Sequence, residues 1–329
     1  MPSTPVRPQR VTRTTGRISA LVVAATALAT ACASPSSPGG ASAGLTSITV
    51  GALPIVDDVP VYLAQQQGYF HRERLDVTIK TIAQPPTALP DLLHGSVDII
   101  TGANYVSFFR AQAHGIISLR ILTDGADCLA GTHVILTLPH SGITTPAALA
   151  GKTMAVNNLT DVQTMLTDDT LRADDVALMP HYVAIPFANM PAALARHQVQ
   201  AIYEVEPYLS SAENTLGASA ILDTCTGMNA NLPLAGAVTT AAWVQQHPAT
   251  AHAFQRAMAE AADLADTNRA GVERAIVRYL HVSPQIAALV KLDDFPARPE
   301  AARIQRMAGH MQSAGLLAGL LNVAPLVFR

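Results

Sequence analysis

The chain has 329 residues, a formal net charge of −3, 49% hydrophobic residues and only 14% charged ones. That is enough for two ordinary domains with filled cores, and too acidic for a nucleic-acid partner, which calls for a basic face. Beyond the N-terminal segment no apolar run reaches the ~18 residues of a spanning helix.

The N-terminus reads as a processing segment. Arg7, Arg10, Arg13 and Arg17 precede an apolar stretch at 18–31 that ends Leu28-Ala29-Thr30-Ala31-Cys32. Small residues directly before a Cys resemble a bacterial lipobox, so 1–31 is expected to be a lipoprotein signal peptide and Cys32 the lipidated residue. The alternative is an ordinary secretory signal with an incidental Cys. No Arg-Arg pair marks a twin-arginine route. Residues 33–44 are rich in Ser, Pro, Gly and Ala, so 32–47 suits a flexible tether.

The body opens on Ile48-Thr49-Val50-Gly51-Ala52-Leu53-Pro54, a short apolar run that reads as a buried strand. Pro60 suits the first turn of a following helix, and Gly68 its left-handed cap. Between them stand Asp57 and Asp58, read either as ligand groups or as acids at a helix N-terminus. Alternation at 75–80, a helix at 87–93 stopped by Gly95, a strand at 97–101, a helix through Phe108 and Phe109, and a strand at 119–122 follow. After an apolar run at 133–138 a second series begins: strands near 152–156, 181–185, 200–203 and 220–222 alternate with helices near 162–168 and 190–196. One more strand, 235–240, leads into segments that look wholly helical to 314. Strands alternating with helices at this spacing mean βαβ units and mostly parallel sheets.

Four segments carry a resemblance. Pro60 to Phe70 followed by Leu75-Asp76-Val77, Asp91-Leu92-Leu93-His94-Gly95-Ser96-Val97-Asp98, Leu149-Ala150-Gly151-Lys152, and Val199-Gln200-Ala201-Ile202-Tyr203-Glu204-Val205-Glu206-Pro207-Tyr208 resemble, in that order, the periplasmic solute-binding proteins of ABC importers. The branch is the one that holds nitrate-, sulfonate-, taurine- and thiamine-precursor-binding proteins; Gln200 stands where that branch usually has Asp. The resemblance implies a two-lobed α/β fold of type II, each lobe a mostly parallel sheet flanked by helices, with two crossing strands at the hinge. Lobe one would be 48–137 with 233–329, lobe two 138–232. It implies a small-molecule ligand held between the lobes by hinge closure, an ABC permease and its ATPase as partners, no cofactor and a monomer on the outer face of the membrane.

Loops at strand carboxyl ends should line the cleft. The candidates are Asp57, Asp58, Tyr62, Asn104 and Tyr105 from lobe one, and Asn158, Thr160, Asp161, Glu204 and Glu206 from lobe two. Each has a plain structural reading as a cap, a core ring or a surface charge. These loops, with Asp124 and Asp127, hold seven acids and no Lys or Arg. A cationic or nitrogen-rich ligand is therefore expected over a simple anion: a thiamine-pyrimidine-like compound or an organic amine. No catalytic or metal motif stands out, since His247 and His252 are misplaced for one helix face and no Gly-x-Ser-x-Gly occurs. The competing readings are a lipid-anchored ligand sensor and a pyrimidine- or menaquinone-pathway enzyme on the same fold. In an oxidising compartment Cys128 and Cys225 are expected to be bridged, the alternative being two buried thiols.

Overall fold

The computed structural model describes residues 44–296 and 298–329. The signal peptide, Cys32 and most of the tether expected from the sequence lie outside the described residues. Among the described residues ten strands form two sheets of five. The first takes β1 (Thr46–Ala52), β2 (Leu75–Thr81), β3 (Ile99–Asn104), β4 (Leu119–Asp124) and β10 (Ala235–Thr240), in the order β2-β1-β3-β10-β4. The second takes β5 (Val134–Thr137), β6 (Thr153–Val156), β7 (His181–Ala184), β8 (Ala201–Glu204) and β9 (Ser219–Asp223), in the order β7-β6-β8-β5-β9.

Both sheets are mixed, and for one reason. The strand that arrives from the other sheet, β5 in one direction and β10 in the other, inserts antiparallel to its two neighbours. The remaining ladders are parallel, as crossover helices require. The lobe boundary expected at 137/138 is corrected by this pairing: β5 bonds to β8 and β9, so the apolar run assigned to the first half belongs to the second. Sequence could not show it, because a buried strand looks the same in either sheet.

The local signals act as read. Pro60 sits in the first turn of the helix Val59–Gln66, and Gly68 follows that helix at φ +71°, where a side chain would be strained. Helices cover both faces of the first sheet. Phe254, Ala257 and Ala261 of Pro248–Thr267 pack over β1 in one cluster, while Phe108, Phe109 and Met307 pack over the other face. The second sheet has its own cluster, and two residues of it, Leu53 and Ile55, come from the loop after β1.

The chain crosses between sheets twice, and the two crossings pair with each other. Asp127 and Pro233 form an antiparallel bridge. Cys128 N–H donates to the Leu232 carbonyl at 2.8 Å, and Asn231 N–H to that of Cys128 at 2.9 Å. Beside this ladder Cys128 and Cys225 are bonded, with Cα atoms 5.0 Å apart at a sequence separation of 97. Closing so long a loop removes much freedom from the unfolded chain. The double substitution Cys128→Ser with Cys225→Ser is expected to lower unfolding free energy by about 2–5 kcal/mol in urea titrations. An unchanged midpoint would show that the bond adds nothing to the paired crossings.

Candidate functional site

The carboxyl ends of β1 and β3 face those of β6 and β8 across the paired crossings. Between them lies a small cavity whose polar walls are Asp57, Asn104, His133, Asn157, Asp161 and Gln163. Leu53, Ile55, Phe187 and Val205 supply its apolar walls. The halves touch around its rim. Val56 N–H donates to the Glu206 carbonyl at 2.9 Å. Asn157 Nδ2 donates to the Ala83 carbonyl at 3.1 Å, and Gln84 reaches back to the Asn157 carbonyl.

Of the expected site residues, Asp57, Asn104 and Asp161 line this cavity. Asp57 approaches His133 Nε2 at 3.8 Å, with both side chains nearly buried. Asn104 caps the helix Tyr105–Ala113 by accepting from Ser107 N–H at 2.9 Å. Asp161 caps Val162–Ala173 in a capping box, accepting from Gln163 N–H at 3.0 Å. Each cap leaves its residue at a cavity wall, so capping and ligand contact are compatible roles.

The others are placed elsewhere. Asp58 ends a short 3-10 turn, Val56–Asp58, and turns inward to accept from Leu53 N–H at 2.6 Å. Tyr62 is core: its hydroxyl donates to the Leu53 carbonyl at 3.0 Å and its ring stacks on Tyr279. Tyr105 is fully buried, donating to Asp124 Oδ1 at 2.8 Å and stacking on Phe109. A tyrosine near the start of a helix can point either into a cleft or down onto the sheet, and both point down. Asn158 bonds its neighbour Asn157, which takes the wall position instead. Thr160 lies in an outer groove, its carbonyl accepting from Arg110.

Glu204 and Glu206 do not line the cavity. Glu206 is a structural acceptor for Ser210 N–H, Ser210 O–H and Lys291 N–H, at 3.1, 2.8 and 3.0 Å. Glu204 is fully buried and neither of its oxygens makes a hydrogen bond. Burial therefore pushes its carboxyl well above the usual range, and it is held neutral.

Three functional neighbours carried no sequence signal. His133 merely opens an apolar run, yet it is buried in the cavity wall with Thr132 Oγ1 2.8 Å from its Nδ1. Asp293, from the loop before the last helix, is buried against Asp57; burial, then the Asp57 charge, hold its carboxyl far above the ordinary range. Arg303, on Ala301–Ser313, pairs with both Asp124 and Asp127. The acid count taken from the loops therefore overstates the charge: two of its seven members are neutralised by a residue 176 positions from the nearer of them.

A family model described as NMT1/THI5 like matches residues 56–268. No curated protein matches the chain by sequence. Among solved structures it is similar to the alkanesulfonate-binding protein SsuA of Xanthomonas axonopodis pv. citri, at 21% identity and a TM-score of 0.70, over 87% of this chain and 99% of that one. It is similar to the periplasmic nitrate-binding protein NrtA of Synechocystis PCC 6803, at 15% identity and a TM-score of 0.69, over 85% of this chain and 84% of that one. It is also similar to the desulfurization enzyme DSZB, at 14% identity and a TM-score of 0.61, over 86% of this chain and 96% of that one. The fold is thus that of the periplasmic binding proteins, which an enzyme also uses.

The buried acids set a pH response. Burial pushes Asp58 up to about 8, against the Leu53 amide, and Asp161 up to about 7, against the Gln163 and Thr164 bonds. The folded chain therefore holds protons that the unfolded chain releases, and stability is lost as pH rises through these values. His133 acts oppositely, being held neutral by burial, but only below the ordinary value of 6.5. Unfolding free energy is expected to fall as pH rises from about 4 to about 7 for Asp161 and about 8 for Asp58, by up to about 1.4 kcal/mol per pH unit for each acid, and to level off above pH 8. Asp58→Asn and Asp161→Asn should each flatten that slope in urea titrations. A flat wild-type profile would place both acids in the ionised state throughout.

Proposed function

The chain belongs to the NMT1/THI5-like family, and on that premise we propose that it is the extracytoplasmic substrate-binding component of an ABC importer. In this reading the leader exports it, Cys32 carries a lipid, and the monomeric body captures a small nitrogen-containing solute for a permease and its ATPase. The ligand is a thiamine-pyrimidine-like compound or an organic amine.

One observation carries the choice of ligand. Among the described residues neither Arg nor Lys lines the cavity between the sheets, while Asp57 and Asp161 do. Two of the similar structures named above are of proteins that bind alkanesulfonate and nitrate. An anion of that kind calls for a cation or a converging set of donors. Here the walls offer carboxylates and side-chain amides, which suit a ligand rich in N–H groups. The loss of Asp124, Asp127 and Glu206 to internal partners narrows the argument to fewer acids and leaves its direction unchanged. Leu53 and Ile55 joining the second half's cluster supports closure by hinge motion, since a ligand touching both halves would favour that packed form.

Two tests follow. In a calorimetric titration with 4-amino-5-aminomethyl-2-methylpyrimidine, Asp57→Asn is expected to weaken binding by ~1.5–3 kcal/mol, the range for a hydrogen bond to a charged group. Recovery of the compound unchanged distinguishes a binder from an enzyme on this fold. Affinity confined to sulfonates or nitrate would overturn the ligand class. Separately, Cys32→Ala is expected to move the protein from the membrane to the soluble fraction, and retention on the membrane would remove the anchor.

A further inference from the structure

Asp57 is not a free anchor. The Asp293 carboxyl is already against it, so the polar head of a ligand needs a second acceptor in the same wall. The neighbour in position to be one is His133, whose Nε2 stands 3.8 Å from Asp57 Oδ2.

Whether Nε2 accepts or donates depends on which ring nitrogen carries the proton, and the bonds around Thr132 decide it. The Thr132 hydroxyl has one proton, and it goes to the Leu129 carbonyl at 2.9 Å. Thr132 Oγ1 also lies 2.8 Å from His133 Nδ1, and with its own proton spent it can only accept there. Nδ1 therefore bears the hydrogen. Burial holds the ring neutral, which leaves Nε2 with a bare lone pair. The ring is not free to turn and offer its other nitrogen. It is buried and meets Tyr203 edge to face at 6.1 Å. The carbonyl of His133 is held as well, by Thr224 N–H at 3.1 Å and Thr224 O–H at 2.9 Å. At 3.8 Å neither Asp57 nor His133 bonds the other. Two acceptors thus face one gap in the cavity wall.

Resting on the amine reading above, we infer that His133 is a ligand-binding residue that sets specificity: fixed with its proton on Nδ1, it accepts through Nε2 from an N–H of the ligand, beside Asp57. A primary amine or amino group serves both acceptors from one nitrogen. A tertiary amine can serve one of them at most, and a quaternary nitrogen has no hydrogen for either. The ligand class narrows to compounds that carry –NH2 or –NH3+.

The test has two arms, both on the full mature chain. In the first, the ring nitrogens of 15N-histidine-labelled protein are observed by NMR at about pH 7.5. The His133 signals are assigned by their loss in His133→Phe or, where that variant fails to fold, in His133→Gln. Nδ1 is expected to be protonated and Nε2 bare, and Thr132→Val, which removes the oxygen that Nδ1–H meets, should shift part of the proton to Nε2. A wild-type ring with its proton on Nε2 overturns the inference and leaves the amine reading standing. In the second arm, 4-amino-5-aminomethyl-2-methylpyrimidine is titrated by calorimetry, and His133→Phe is expected to bind it about tenfold or more weakly than the wild type. If the wild type binds and His133→Phe binds equally well, the inference falls alone. If the wild type does not bind, the amine reading and the inference fall together.

Discussion

The fold rests on two crossing segments bonding to each other rather than merely passing. Their antiparallel ladder, Ala126 to Cys128 against Asn231 to Leu234, fixes where one sheet stops and the other starts. It also turns the carboxyl edges of both sheets toward one space. Parallel strands put their loops at that edge, so much of the cavity wall comes from strand ends and the helix caps after them, and the crossings add His133 and Leu234. The disulfide lies against this ladder, among buried residues of the first half's cluster. It constrains the crossings without occupying the cavity.

A second constraint is the number of carboxylates taken out of water. Each has to be bonded, paired or neutral, and the structure uses all three solutions. Asp161 is bonded to the start of its own helix, Asp124 and Asp127 are paired with Arg303, and Glu204 is neutral with no partner. The chemistry of the cavity is what remains after these demands are met. Asp57 matters because, among the described residues, its neighbours are the Asp293 carboxyl and the His133 ring rather than an arginine or lysine.

Much of the architecture was legible because strand and helix periods, Pro at helix starts and Gly at helix ends are local signals. The two α/β series and the helical tail follow from them, and the crossing points show as cysteines beside strand ends. Direction and partnership were not legible. Nothing in the apolar run around Val134 tells which sheet it joins. Nothing at Tyr62 or Tyr105 tells which way the ring turns, and each is settled by a ring, Tyr279 or Phe109, or by an acceptor. The site was half legible for the same reason. Asp57, Asn104 and Asp161 stand at strand ends and could be read there, while His133 sits on a crossing and Arg303 and Asp293 arrive from the tail.

The position of β10 has a consequence for how the chain assembles as it emerges from its N-terminus, at a ribosome or through a membrane pore. The strands of the second sheet all lie between residues 134 and 223, one unbroken stretch. The first sheet has β1 to β4 by residue 124 but lacks the strand that joins β3 to β4 until Thr240 has appeared. Its helical covers, Pro248–Thr267 and Ala301–Ser313, come later still. Four early strands therefore wait with two open edges in the middle of their sheet, while the later-made sheet can close first. The order of completion runs opposite to the order of synthesis, and any holding factor that meets this chain has its longest task at the strands made earliest.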